Sequence, residues 1–168
     1  LYSQIEDSIK IVNDFTNNNN YYNKIITNYN KVLIIGMGGS AIGGDFSRRI
    51  VQNQSSVPIF VLRDYSIPNW VDKKTFVIAS SYSGNTEETL SAYSKCLDKG
   101  CYSIVISAGG ELTDIANKNN VGVISLPLGY QPRAAIGYSL SILLLLFVEL
   151  GLGKKNIVNN LQYVIDNH

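Results

Sequence analysis

Short apolar runs recur along the chain at intervals that suit strand–helix–strand units. Five have strand length: Lys31–Ile35, Pro58–Leu62, Phe76–Ala79, Tyr102–Ile106 and Val121–Ser125. Most are nearly continuous rather than alternating, the pattern of strands covered on both faces. Helices are predicted in the gaps, over Ala41–Gln52, Thr86–Lys99, Glu111–Asn117 and Arg133–Leu150, with a last one over Lys154–Asp166. Thr86 followed by Glu87 and Glu88 reads as a hydroxyl cap with acids in the first turn, and Gly100 and Gly151 read as helix stops. Ahead of the first strand, Ile5, Ile9 and Val12 lie at helical spacing, which predicts an amphipathic helix over Ser3–Phe15. The tract Asn17–Asn20 then reads as a surface connection, and a short helical piece is predicted over Tyr21–Thr27.

This alternation predicts an α/β fold: a doubly wound, five-stranded parallel sheet flanked by helices, with right-handed crossovers and the flavodoxin-like strand order 2-1-3-4-5. The expected organisation is an N-terminal helical segment (1–30), a central domain (31–152) and a helix leading onward (153–168). A chain of 168 residues suits one domain of ordinary size.

Composition narrows the partners. Charged residues make up only 16% against 45% hydrophobic, so the low charge leads us to expect surface covered by another subunit. A net charge of +1 with no basic run leaves no electrostatic footprint for nucleic acid. The run Ala134–Leu152 carries one charge, Glu149, but Gly137, Ser139 and Ser141 dilute it and no cation flanks it before Lys154. It is expected to be a core or subunit-interface helix rather than a membrane span. Cys96 and Cys101 are the cysteines and His168 is the lone histidine, so neither a disulfide framework nor a metal site is expected; the thiols read as small buried hydrophobes. No signal peptide opens the chain, which begins at Leu1, and a reducing cytoplasm is the expected setting.

Candidate chemistry gathers in two turns that directly follow predicted strands. Gly36-Met37-Gly38-Gly39-Ser40-Ala41 fits a G-x-G-x-x-G/A dinucleotide fingerprint, but the acid wanted about 20 residues on is missing. The first acid after the second strand is Asp64, 28 positions past Gly36 and preceded by Arg63, which disfavours NAD(P) or flavin. The second turn, Ser81-Tyr82-Ser83-Gly84-Asn85-Thr86, brings three hydroxyls to a helix start, a setting suited to a dianionic phosphate. An ordinary serine-rich turn with a helix cap would use the same residues; the neighbouring turn at 36–45 favours a ligand.

Together with Pro127-Leu128-Gly129-Tyr130-Gln131-Pro132-Arg133-Ala134, which resembles a P-x-G-x-x-P-R-A segment, these motifs resemble the sugar isomerase (SIS) domain. The closer resemblance is to the first domain of the archaeal-type bifunctional phosphoglucose/phosphomannose isomerase family, over about residues 31–150. It implies that Gly38, Gly39, Ser40, Ser81, Ser83 and Thr86 hold a sugar 6-phosphate and that Arg133 sits over the reacting carbons, with no cofactor and no metal. A guanidinium there would stabilise the enediolate formed as a proton moves between C1 and C2. The resemblance also implies a homodimer whose general base and ring-opening group come from a second SIS domain and a partner subunit. Glu87, Glu88, Glu111 and Glu149 do not substitute by position, and His168 aligns with no catalytic histidine. The rival reading is a non-catalytic phosphosugar sensor.

Overall fold

In the computed structural model, residues 1–18 and 29–167 are described; the piece predicted over Tyr21–Thr27, and His168, lie outside them. The strands β1 (Lys31–Ile35), β2 (Ile59–Leu62), β3 (Thr75–Ser80), β4 (Tyr102–Ser107) and β5 (Gly122–Ser125) form one sheet in the order β2-β1-β3-β4-β5. Every pairing is parallel, with Val32 opposite both Ile59 and Phe76, and Ile106 opposite Ile124. The predicted fold class and strand order hold. Around the sheet lie α1 (Tyr2–Asn18), α2 (Gly38–Val51), α3 (Glu87–Asp98), α4 (Gly110–Lys118), α5 (Ile136–Glu149) and α6 (Asn156–Asp166). A 3-10 turn, Pro132–Ala135, precedes α5.

The continuous apolar runs have a two-sided cause. Val32, Ile34, Phe76, Ile78, Ile104 and Ile106 enter one core with residues of α1, α2, α5 and α6. Their neighbours Leu33, Ile35, Val77, Ala79 and Val105 enter a second core with α3 and α4. Each strand residue thus meets helix on whichever side it points, and alternation disappears. On the edge strand β2 one face opens: Phe60 is 41% exposed and leans on Trp70, with ring centroids 4.6 Å apart.

The apolar α5 takes the first of its two expected places, the core. Its residues from Ile142 to Phe147 are all buried within the chain, each contributing roughly 1.5–3 kcal/mol. The low charge of 134–150 therefore reflects a core helix. Among the described residues, 132–149 is one stretch long and apolar enough to cross a membrane, at mean hydropathy 1.4, yet 61% of it is buried against the rest of the fold. Close crossing by α2 explains part of that burial: a Cβ on Gly43 would lie 2.8 Å from the Cβ of Ser139.

Helix ends follow local chemistry. Gly100 (φ +71°) and Gly151 (φ +72°) stop α3 and α5 as predicted, each in a left-handed conformation that suits glycine. At the first, Gly100 N–H bonds Leu97 O (2.9 Å) and Cys101 N–H bonds Cys96 O (3.2 Å). Both cysteines are free and buried, as expected of small hydrophobes. By contrast α1 runs on through Asn17 and Asn18, which were expected in a connection; Asn18 Nδ2 donates back to Asp14 O (3.0 Å) and extends the last turn.

One topological feature positions the site. Strand order reverses between β1 and β3, so α2 leaves for one face and α3 for the other. Such a divergence opens a crevice at the carboxyl edge of the sheet.

Candidate functional site

The turn after β1 is shaped by close approach. Gly36 abuts β3, where an added Cβ would come 3.0 Å from Ser80 O. Met37 then takes an extended N-cap conformation without a capping side chain, and α2 begins at once at Gly38 (φ +50°). The helix thus starts three residues before the predicted Ala41, because the glycines that read as loop form its first turn. Ser40 N–H bonds Met37 O (3.1 Å), whereas the Gly38 and Gly39 N–H groups have no acceptor among the described residues. They leave a small anion-attracting end, reinforced by the helix dipole.

After β3 the chain continues the ladder for one residue, Ser81 N–H bonding Ile106 O (3.0 Å), and then folds on its own hydroxyls. Ser81 is 3% exposed; its Oγ shares a hydrogen bond with Thr86 Oγ1 (2.9 Å) and accepts from Gly84 N–H (3.2 Å). Ser83 Oγ accepts from Asn85 N–H (3.2 Å). Gly84, at φ +70°, presses against the loop after β4, where a Cβ would fall 1.7 Å from Gly109 O. Thr86 does occupy the N-cap position of α3, but its hydroxyl makes no cap bond, since Ser81 holds it instead. The Glu87 and Glu88 N–H groups consequently have no acceptor among the described residues.

A third segment arches over both turns. Arg133, predicted as the first residue of a long helix, lies in the 3-10 turn, with Ala134 N–H bonding Gln131 O (2.8 Å). Pro132 at the start of that turn and the break at Ala135 separate it from α5. Gly39 lets the arch come close, since a Cβ there would lie 3.3 Å from Pro132 O. The Arg133 side chain is exposed and forms no hydrogen bond or ion pair among the described residues.

These three segments enclose a cleft of about 250 Å³. All seven predicted site residues, Gly38, Gly39, Ser40, Ser81, Ser83, Thr86 and Arg133, line it, joined by Met37, Tyr82 and Pro132. Sequence reasoning passed over the last three. Tyr82 had a readable signal, an aromatic inside an otherwise small, polar motif; Met37 and Pro132 had none beyond adjacency. With one guanidinium, two helix starts and several hydroxyls, the lining favours a small anionic ligand rich in acceptors.

Acid–base groups lie elsewhere. Glu87, Glu88, Glu111 and Glu149 do not line the cleft, and Glu87 instead accepts a hydrogen bond from Tyr65 Oη (3.4 Å). Among the described residues no three His, Cys, Asp or Glu side chains gather as metal ligands. Asp64 closes a local turn by accepting Ser66 N–H (3.0 Å), a role in keeping with its poor spacing for a ribose.

Fold and cleft together define an α/β domain of the SIS fold, the fold of solved phosphosugar isomerases. The chain shares this fold with the tagatose-6-phosphate ketose/aldose isomerase of Escherichia coli, at TM-score 0.67 and 17% identity, over 95% of this chain and 50% of that one. Its homologues carry the name bifunctional phosphoglucose/phosphomannose isomerase, at up to 57% identity. It is 57% identical to the bifunctional phosphoglucose/phosphomannose isomerase of Caldicellulosiruptor bescii over 122 residues, covering 73% of this chain and 36% of the relative. With the protein of the same name from Aquifex aeolicus it shares 36% identity over 165 residues, 94% of this chain and 52% of the relative. No family model matches. The chain spans about a third to a half of the length of these relatives.

Proposed function

We propose that this chain supplies the phosphosugar-binding half of an isomerase that interconverts glucose 6-phosphate, and mannose 6-phosphate, with fructose 6-phosphate. The observation that carries the reading is convergence: the unused Gly38 and Gly39 N–H groups at the start of α2, four Ser and Thr hydroxyls and a guanidinium unpaired among the described residues, around a single small cleft. The names of the relatives, which describe phosphoglucose and phosphomannose isomerases, support the same substrate class.

In this reading the 6-phosphate takes hydrogen bonds from the Gly38 and Gly39 N–H groups and from Ser40, Ser81, Ser83 and Thr86. Arg133 lies over C1 and C2, where negative charge grows on oxygen as the enediolate forms, and stabilises that charge more than it stabilises the substrate. Neither a cofactor nor a metal is needed for such a proton shift. The base that moves the proton and the group that opens the ring come from outside this cleft, whose lining among the described residues has no carboxylate or imidazole. Residues 31–152 act as the phosphosugar-binding domain, flanked by the segments 1–30 and 153–168.

The protein works in the cytoplasm as a homodimer, without nucleic acid or membrane as partner. Two unpaired thiols suit a reducing compartment, and the exposed stripe Ile42, Phe46 and Ile50 on α2 suits an association surface.

A coupled isomerase assay on the full-length gene product tests the reading. Arg133→Ala is expected to lower kcat by about 10²–10³ with phosphosugar still bound. Calorimetry that finds heat from NAD and none from fructose 6-phosphate would overturn it.

A further inference from the structure

The turn that carries Arg133 has little of its own to hold it. Residues 128–134 are exposed, Leu128 at 79%, and apart from the 3-10 turn's internal bonds the backbone bonds of 126–134 among the described residues are Leu126 N–H to Ser107 O and Ala134 N–H to Gln131 O. A guanidinium on such a turn stabilises charge only if something fixes where it sits, since a misplacement of about 1 Å can cost 10²-fold.

Two side chains from distant parts of the sequence reach the turn. From the serine loop, the Tyr82 hydroxyl uses both of its hydrogen-bonding roles there, donating to Pro127 O (2.8 Å) and accepting from Tyr130 N–H (2.9 Å). From α1, Gln4 Nε2 donates to Ala134 O (2.7 Å), the carbonyl immediately after Arg133. Gln4 is 5% exposed, and its place is built for it: a Cβ on Gly137 would fall 2.2 Å from Gln4 Oε1. A second bond, Tyr138 Oη to Asp7 Oδ2 (2.9 Å), holds α1 against α5 in the same place. A buried amide needs a partner, and the carbonyl it found is the one that orients the turn.

We infer that Tyr82 and Gln4 are positioning residues for Arg133, tying its turn to the serine loop on one side and to α1 on the other. This rests on the role proposed above for Arg133. It also gives α1, which lies outside the three sequence motifs, a part in the chemistry.

The test is a mutant cycle in the full-length gene product, with fructose 6-phosphate as substrate and inorganic phosphate as competitive inhibitor. Tyr82→Phe and Gln4→Met, each nearly isosteric, are expected to lower kcat 5- to 30-fold while KM and the phosphate inhibition constant stay within threefold. In an Arg133→Ala background, neither is expected to cost more than a further twofold, because groups acting through one residue are not additive with its loss. Losses repeated in full in that background, or inhibition by phosphate weakening in step with kcat, would overturn the inference. So would an unchanged kcat in both variants beside a large effect of Arg133→Ala. An Arg133→Ala enzyme with wild-type kcat removes the proposed role of Arg133 and this inference with it. Should Gln4→Met fail to fold, Tyr82→Phe alone decides.

Discussion

The turns after β1 and β3 meet at one cleft and are both rich in small residues, but for different physical reasons. After β1, glycine answers to packing: Gly36 faces Ser80 O, Gly43 faces Ser139, and a Cβ on Gly44 would come 3.2 Å from Ile34 Cγ2. Within the stretch that fits a dinucleotide fingerprint, Gly36 answers to the closeness of β3, Gly38 to a positive φ and Gly39 to Pro132 O, and the turn's offer to a ligand is mainly backbone. After β3, the small residues are hydroxyls that bond one another, and Gly84 is required by both its backbone angle and the neighbouring loop. Ligand class is written in the second turn and helix placement in the first.

Four substitutions would break or sharpen this contrast. Gly84→Ala is expected to have the largest effect, a stability loss on the order of 4 kcal/mol or more, because the methyl group would overlap a backbone carbonyl that cannot retreat. A thermal melt near wild type would show that the two loops separate easily. Gly43→Ala should cost about 1–3 kcal/mol by pushing α2 off α5, read by denaturant unfolding, with phosphosugar affinity falling only as far as the helix start moves. Next, Ser81→Ala removes the bond to Thr86 and is expected to cost about 1 kcal/mol of stability but about tenfold in phosphosugar affinity by calorimetry. Stability and affinity moving together would mean that the second turn, too, is mainly structural. Smallest is Gly38→Ala, with φ +50° and open space around it: about 1 kcal/mol of stability, and affinity within about twofold if the first turn binds through backbone alone.

Much of this architecture was legible in advance because it obeys local rules. Continuous apolar runs located the strands to within one residue at every end, and Gly100 and Gly151 marked helix stops. Misreadings arose where tertiary contact overrode a local signal. Glycine's weak helix propensity argued for a loop at 38–40, yet the end of β1 and the closeness of Pro132 draw α2 back to Gly38. Thr86 looked like a cap until Ser81 took its hydroxyl. Apolarity at 134–150 left core and subunit interface open because sequence cannot say how many of a chain's own elements will pack around one helix; here α1, α2 and α6 do.

The sequence by itself determined the element types, the two-sided sheet and seven of the ten residues that line the cleft, since period, turn chemistry and motif spacing act over a few residues. Only the tertiary structure decided what joins them. Gln4, Ser40, Tyr82 and Arg133 come from four separate segments, and their contacts depend on the order reversal between β1 and β3 and on α1 packing against α5. No local pattern records such contacts, because the free energy that fixes them comes from burying distant surfaces together.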